Sequence, residues 1–407
     1  MQKARYFGRK IWHVVKSLLG EAIPAALQYN FPAKKLQVYA ITGTDGKTTS
    51  STMLYEVLKQ ANYKVALIST VAAYIGDEEI DTGFHTTSPE PKQIQKILHR
   101  CVEAGIEHVV LEVTSHGIFQ YRIWGIPIAL AGITNISHEH LDYFVDWETY
   151  AGVKAQLLQK ANKAVLNADD RSFAFVRQAV ERSQTPFVTY SQDLADMPKT
   201  VREAVETRFP EPYNQWNARL VWTMAQELGV KNADYVAAIK KFSGIKGRMD
   251  FLDIGEEFQV VVDFAHTPNA LDKALKALRK QTKKRLIAVY GSAGLRDRAK
   301  RPLMGKAGAE NADLTVYTAE DPRTEDVNVI IRQMKEGIPE GAHDTVISIP
   351  DRKEAIFWAL NEAKPGDIVG IFGKGHEQSM CFGTTEYPWS DHVAVKEWAE
   401  KKEKSEK

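Results

Sequence analysis

The chain has 407 residues, 44% hydrophobic and 26% charged, with Lys+Arg 53 balanced against Asp+Glu 52. That length exceeds what one core usually fills, so two domains are expected, and the balanced charge excludes both a disordered chain and a broadly nucleic-acid-binding one. Two cysteines, Cys101 and Cys381, make neither a disulfide framework nor a metal spacing and suit a reducing cytoplasm; no apolar run approaches the roughly 18 residues of a membrane span.

At the front, Lys3, Arg5, Arg9 and Lys10 precede Ile11, Trp12, Val14, Val15, Leu18 and Leu19. His13 and Lys16 interrupt the apolar run and no small-residue cleavage site follows, so residues 1–36 read as a retained basic amphipathic helix. It is expected to pack on the body of the protein, with weak contact to a membrane surface as the alternative.

From Leu36 onward, short Val- and Ile-rich runs alternate with stretches of helical period, the pattern of a parallel sheet with crossover helices. Strands are predicted at Val38–Ile41, Val65–Ser69, His108–Val113, Ala129–Ile133 and Ala164–Asn167, within a central α/β domain over 37–246. A helix follows over Asn214–Leu228, and the turn Gly244-Ile245-Lys246-Gly247 reads as a hinge. Over 247–407 a smaller, Rossmann-like α/β domain is predicted, with strands near Val260–Phe264, Leu286–Tyr290, Leu314–Thr318, Thr345–Ile349 and Ile368–Phe372. The charged tail Lys401–Lys407 is expected to fray.

The run Val38-Tyr39-Ala40-Ile41-Thr42-Gly43-Thr44-Asp45-Gly46-Lys47-Thr48-Thr49 passes from an apolar strand through a glycine turn into a helix. Such a turn cradles phosphate: backbone N–H groups sit at a helix N-terminus, glycines allow close approach, and a lysine meets the terminal phosphates. A P-loop of full length would have Gly at position 41, where Ile stands, so this is a shortened form. Lys47 is expected on the β- and γ-phosphates of ATP and Thr48 on Mg²⁺. Glu112 ends a strand at the carboxyl edge of the sheet, where a second Mg²⁺ ligand belongs; alone it would read as a structural hydrogen-bonding group. The cluster Asn135-Ile136-Ser137-His138-Glu139-His140-Leu141-Asp142 carries a His-x-His spacing, but without the further ligands of a zinc quartet it reads as a helper at a Mg²⁺ site.

These segments resemble a family. The shortened loop, Glu112-Val113-Thr114-Ser115-His116, Thr134-Asn135 with His140-Leu141-Asp142-Tyr143, Gly247-Arg248-Met249-Asp250, Asp263-Phe264-Ala265-His266-Thr267-Pro268 and Gly373-Lys374-Gly375-His376-Glu377 occur in the order seen in Mur ligases, and look most like the MurE type. The resemblance spans about residues 37 to 395 and implies a P-loop central domain with a parallel sheet plus the Rossmann-like C-terminal domain. It implies a cytoplasmic, ADP-forming ligase that adds an amino acid to a muramoyl-dipeptide in peptidoglycan synthesis, with ATP and Mg²⁺.

Carried over residue by residue, it places Gly43, Thr44, Asp45, Gly46, Lys47, Thr48 and Thr49 on the phosphates. Asn217 would face the adenine, Arg248 the γ-phosphate and Asp263 the ribose. Thr48, Glu112 and His140 would hold metal, joined by Lys154, which this family carbamoylates with CO₂. His266 is expected near an active site between the domains. Thr86, Thr87, Ser115, Gln120 and Arg122 would grip the muramoyl-dipeptide. Arg296, Glu320, Asp321, Arg323, Gly373 and Glu377 would grip the incoming amino acid.

In diaminopimelate-adding members the matching turn reads Asp-Asn-Pro-Arg, and here it reads Glu320-Asp321-Pro322-Arg323. The carboxylate-clamping arginine is retained while a neighbouring amide has become a carboxylate, so diaminopimelate, lysine or another diamine fits. Only about 36 residues precede the loop strand, short of the uridine-gripping domain of the family, so the acceptor is expected to be nucleotide-linked, lipid-linked or otherwise carried. A monomer is expected. Alternatives are a folylpolyglutamate-synthase-like ligase, a lipid-linked muropeptide ligase or amidation partner, and a non-catalytic ATP-binding module.

Overall fold

Runs such as Val109-Val110-Leu111 and Val260-Val261-Val262 are buried on both sides, so they form central strands that need helices above and below. The computed structural model describes residues 2–76, 78–80, 89–137, 143–193 and 195–406, and the chain divides into two compact units, Met1–Ser243 and Gly244–Lys407.

In the first unit the strands are β1 Gln37–Thr42, β2 Val65–Ile68, β3 Ala73–Ile75, β4 Glu78–Ile80, β5 His108–Glu112, β6 Ile128–Ile133, β7 Ala161–Asn167 and β8 Phe187–Tyr190. Their order is β4-β3-β2-β5-β1-β6-β7-β8. Pairing is parallel except along β2-β3-β4, where two short strands turn back at the edge. The chain leaves β1 toward one side of the sheet and later crosses from β5 to β6 on the other, so the loop after β1 opens at the point where the order reverses, the usual ligand crevice of an open α/β sheet. One face packs on Met53, Val57 and Leu58 of the helix Lys47–Gln60 and on Leu220 and Met224 of Pro212–Glu227. Gly132 lets the second helix approach, since a Cβ there would lie 2.7 Å from Met224 Sδ.

The N-terminal segment is a helix over Gln2–His13, a π-helical stretch Val14–Ala22, and a further α-turn Ile23–Gln28. It packs on the unit, as expected, but by its polar face. His13 and Ser17 are buried, and Tyr6 meets Phe119 at 5.3 Å between ring centroids.

In the second unit β9 Asp250–Leu252, β10 Gln259–Asp263, β11 Leu286–Tyr290, β12 Leu314–Tyr317, β13 Val346–Ser348 and β14 Ile368–Phe372 take the order β13-β12-β11-β14-β10-β9. Pairing is parallel save for β9 against β10, and β15 Ser379–Phe382 with β16 Thr385–Pro388 forms a separate hairpin. One face buries Leu275, Leu278 and Met334, the other Ile356, Leu360 and Val395. The chain order reverses around β14, so the loops after β10, β12 and β14 gather at one edge. Arg352 braces that edge from below. Fully buried and paired with Asp391 at 2.7 Å, it donates to Ala319 O at 3.1 Å and Phe372 O at 2.9 Å, one residue before Glu320 and Gly373.

Candidate active site

The loop after β1 needs both of its glycines. Gly46 has φ +81°, and a Cβ there would fall 2.2 Å from Asn217 Oδ1; one on Gly43 would fall 1.8 Å from Thr134 Oγ1. The end of β6 clamps the loop: Asn135 O accepts from Thr44 N at 2.8 Å, Asn135 Oδ1 from Asp45 N at 3.1 Å, and Thr134 Oγ1 donates to Asp45 O at 2.6 Å. Gly46 caps the helix Lys47–Gln60 without a side-chain bond, an arrangement that leaves the first-turn amides around Lys47, Thr48 and Thr49 suited to an anion. Lys47 Nζ lies over the loop, donating to Thr44 O at 2.7 Å.

Thr48 Oγ1 donates to Glu112 Oε1 at 3.0 Å, and Glu112 Oε2 accepts from Thr70 N at 2.9 Å. β1 and β5 are neighbours with Ile41 opposite Glu112, so sheet register sets this pair. Lys154 is buried on the helix Trp147–Gln159, where Asp146 caps the N-terminus by accepting from Thr149 N at 2.8 Å. Its ammonium donates to Gly43 O at 2.5 Å and stands 4.7 Å over the Tyr150 ring. Asn217 lies buried beside Gly46. His140, Thr86 and Thr87 fall outside the described residues.

Ser115 begins a short helix capped by Thr114, whose Oγ1 accepts from Gly117 N at 3.0 Å. Beside it runs a polar chain that the sequence did not reveal. Arg122 Nη2 meets Glu90 at 2.9 Å, Arg122 Nε donates to Gln120 Oε1 at 2.9 Å, and Gln120 Nε2 donates to Tyr143 OH at 3.3 Å. The Tyr143 hydroxyl meets His13 Nε2 at 3.0 Å, and His13 Nδ1 meets Ser17 Oγ at 2.9 Å. Arg9 covers the Tyr143 ring at 4.5 Å. Burial lowers the His13 pKa, and Arg122, Lys16 and Arg9 push it the same way, so the imidazole is neutral.

In the second unit Arg248 lies 4.5 Å over the Phe264 ring, and its buried Nε has no hydrogen-bond partner among the described residues. Asp263 accepts from Met249 N at 2.7 Å and Ala265 N at 2.8 Å; burial raises its pKa against the pull of Arg248. His266 Nδ1 meets Phe264 O at 2.9 Å. A carbonyl cannot donate, so Nδ1 carries the hydrogen and Nε2 keeps its lone pair. Burial and then Lys300 lower the His266 pKa to about 3, and burial with Arg248 lowers His376 to about 4.

The turn after β12 gathers charge. Lys374, fully buried, bridges Asp321 at 2.8 Å and Glu377 at 2.5 Å. Burial opposes the charge on Lys374, but the two carboxylates raise its pKa overall. Glu320 is buried with one oxygen unpartnered among the described residues, and burial pushes its pKa up to about 7 despite Lys300 and Lys374. Arg323 Nη1 donates to Gly294 O at 2.8 Å, while Asp321 and Arg323 hold the left-handed backbone, φ +44° and +52°. Gly373 presses on Glu320, its missing Cβ 3.1 Å from Glu320 Cγ. Glu320, Asp321, Arg323, Gly373 and Glu377 are thus brought together, whereas Arg296 stands exposed on the loop before the helix Lys300–Asn311. Lys374, fully buried, and Lys300, half-buried, were not foreseen as site residues: nothing in a sequence marks a lysine for burial.

Known proteins carry the same plan. Residues 41–215 match the Mur ligase middle domain, and residues 247–375 the Mur ligase glutamate ligase domain. A UDP-N-acetylmuramoyl-L-alanyl-D-glutamate--2,6-diaminopimelate ligase of Gloeobacter violaceus is 38% identical over 391 residues, covering 92% of this chain and 79% of the relative. The solved structure of a ligase of that same name is 32% identical with a TM-score of 0.59, covering 90% of this chain and 79% of that one. A folylpolyglutamate synthase of Mycobacterium tuberculosis reaches a TM-score of 0.70 at 15% identity, covering 97% and 98%, a likeness of fold alone.

Phosphate loop, two-unit plan and sequence likeness define an ATP-dependent, ADP-forming amide ligase of peptidoglycan synthesis. The chain belongs to the Mur ligase family, among its MurE-type members.

Mg²⁺ suits this site. Among the described residues no three His, Cys, Asp or Glu side chains converge on a point, and the Thr48–Glu112 oxygen pair is what a cation needs when it keeps water and phosphate oxygens as its other ligands. No helix among the described residues is long and apolar enough to cross a membrane.

Proposed function

We propose that the chain joins 2,6-diaminopimelate to a muramoyl-L-alanyl-D-glutamate acceptor. The observation that carries this reading is the charged turn after β12, where Arg323, tied to Gly294 O, stands 3.8 Å from Asp321, and buried Lys374 bridges Asp321 to Glu377. Diaminopimelate has a second carboxylate for a guanidinium fork and a second ammonium for a carboxylate, and the cluster presents both. Lysine lacks that carboxylate and leaves Arg323 without its partner.

An acceptor carboxylate oxygen bonds to the γ-phosphorus of ATP as the bond to the bridging oxygen breaks, releasing ADP and leaving an acyl-phosphate. The diaminopimelate nitrogen then bonds to the carbonyl carbon, the C–O bond to phosphate breaks, and phosphate leaves. Mg²⁺, held by Thr48 and Glu112, supplies charge neutralisation at the phosphates. Lys47 and the amides of Gly43–Thr49 hold the triphosphate, Arg248 meets the γ-phosphate, Asn217 faces the adenine and Asp263 the ribose. The neutral His266 offers its Nε2 lone pair to the incoming amine. Ser115, Gln120 and Arg122, with Thr86 and Thr87, orient the acceptor.

Lys154 is read as a carbamate: its neutral nitrogen bonds to the carbon of CO₂ and sheds a proton, turning a buried cation into an anion beside the phosphate loop. The chain works as a monomer in the cytoplasm; both cysteines are free and buried.

An ADP-release assay with muramoyl-dipeptide acceptors tests this reading. Diaminopimelate should exceed lysine in kcat/KM by about a hundredfold or more, as for a site whose buried polar group loses its partner, and Arg323→Ala should erase the preference. Equal use of lysine would refute the substrate assignment. ADP release with folate and glutamate would favour the folylpolyglutamate type.

A further inference from the structure

The N-terminal helix is built inside out. Its buried side carries His13 and Ser17, while Phe7, Ile11, Trp12, Val15 and Leu19 point to solvent, each more than half exposed at 62%, 65%, 51%, 61% and 56%. A soluble helix ordinarily does the reverse. Phe7, Ile11, Val15 and Leu19 are spaced by four residues. In an α-helix of about 3.6 residues per turn such a series drifts round the axis. The switch to the wider π winding at Val14 turns the drift back and keeps the stripe on one side. Lys10 and Lys16 stand exposed within the same face, and Lys16 lies 4.7 Å over the Trp12 ring.

The charge around this face says what would cover it. Residues 1–36 hold seven Lys and Arg against one Glu, whereas the remaining 371 residues hold 46 against 51. The segment thus carries net charge +6 and the rest of the chain −5, with Lys10 and Lys16 exposed on the apolar face itself. A second copy docking face to face would bring two such basic segments together. A purely acidic protein surface would satisfy the lysines but leave the Phe, Ile and Leu side chains in water.

We propose that this helix docks the chain on an anionic lipid bilayer, lying in the plane of the headgroups. Phe7, Ile11, Val15 and Leu19 enter the acyl boundary, Trp12 sits at headgroup depth, and Lys10 and Lys16 reach lipid phosphates along their own stems. The buried side keeps its grip on Tyr143 through His13, so the helix docks as part of the unit.

The test is vesicle co-sedimentation of the full chain, comparing phosphatidylcholine with a phosphatidylcholine–phosphatidylglycerol mixture, beside the double variant Ile11→Ser/Val15→Ser. Both positions are exposed, so unchanged thermal unfolding and unchanged ATP turnover in lipid-free buffer confirm that the variant is folded. The expected result is binding at least about tenfold tighter to the anionic vesicles, weakened by salt and lost in the variant. Failure to bind anionic vesicles, or equal binding by the variant, would overturn the proposal. A dimer in light scattering that the double substitution dissociates would do so too, by assigning the face to a second copy.

Discussion

Replacing Glu320 with Gln should stabilise the second unit at alkaline pH while impairing use of the amino acid. The Glu320 carboxyl ionises at about 7 in the folded chain against an ordinary 4.5, because burial penalises its charge more than Lys300 and Lys374 relieve it. Between those pH values the folded form retains a proton that the unfolded chain has lost. Stability therefore falls as pH rises from about 4.5 to about 7, and stays reduced above. A shift of this size corresponds to about 3 kcal/mol, and in a unit of this size to a rise of about 6–12 °C in Tm for the variant at pH 8. Lys300 loses a partner in the variant, which trims the gain. Scanning calorimetry of both proteins at pH 5, 6.5 and 8 isolates the group, since every other titration is shared. Parallel pH dependences, or a variant less stable at pH 8, would refute the reasoning. The same substitution should raise the KM for the amino acid, because the charge that strains the fold is the one offered to the ammonium.

Lys374→Met should cost about 3–5 kcal/mol in urea denaturation, because it strands the buried Asp321 carboxylate beside the half-buried Glu377. Lys47→Ala should lower kcat/KM for ligation by about a hundredfold or more, read by ADP release, with Tm unmoved because among the described residues Nζ bonds only within the loop. Tyr143→Phe breaks the chain between His13 and Gln120. It should raise the acceptor KM by about five- to tenfold, as for one lost hydrogen bond, leave the KM for ATP alone, and show no further loss when combined with His13→Phe.

The strands buried on both faces were legible because nothing polar interrupts them: β11 and β14 run over the very residues expected, Leu286–Tyr290 and Ile368–Phe372. β3, β4, β8, β9 and the hairpin β15–β16 were not, since each is three or four residues long and lacks the wholly buried apolar run that marked the equally short β2. The phosphate loop was readable because its backbone demands glycine at Gly46. Lys154 gained a role only from likeness to a family; its position alone describes an ordinary helical lysine. The N-terminal helix was foreseen from its period, but the side it buries was not. That is decided by what the body presents, the Tyr143 hydroxyl and the Phe119 ring, which lie more than a hundred residues away in sequence.

The in-register pairing of β1 with β5 makes the place of Glu112, the proposed metal partner of Thr48, a property of the sheet more than of a loop. A slip of one position would swing Glu112 to the opposite surface, parting it from Thr48. Nucleotide capture should therefore tighten the weave it depends on, and the amides of these two central strands should exchange with solvent more slowly once ATP and magnesium are added.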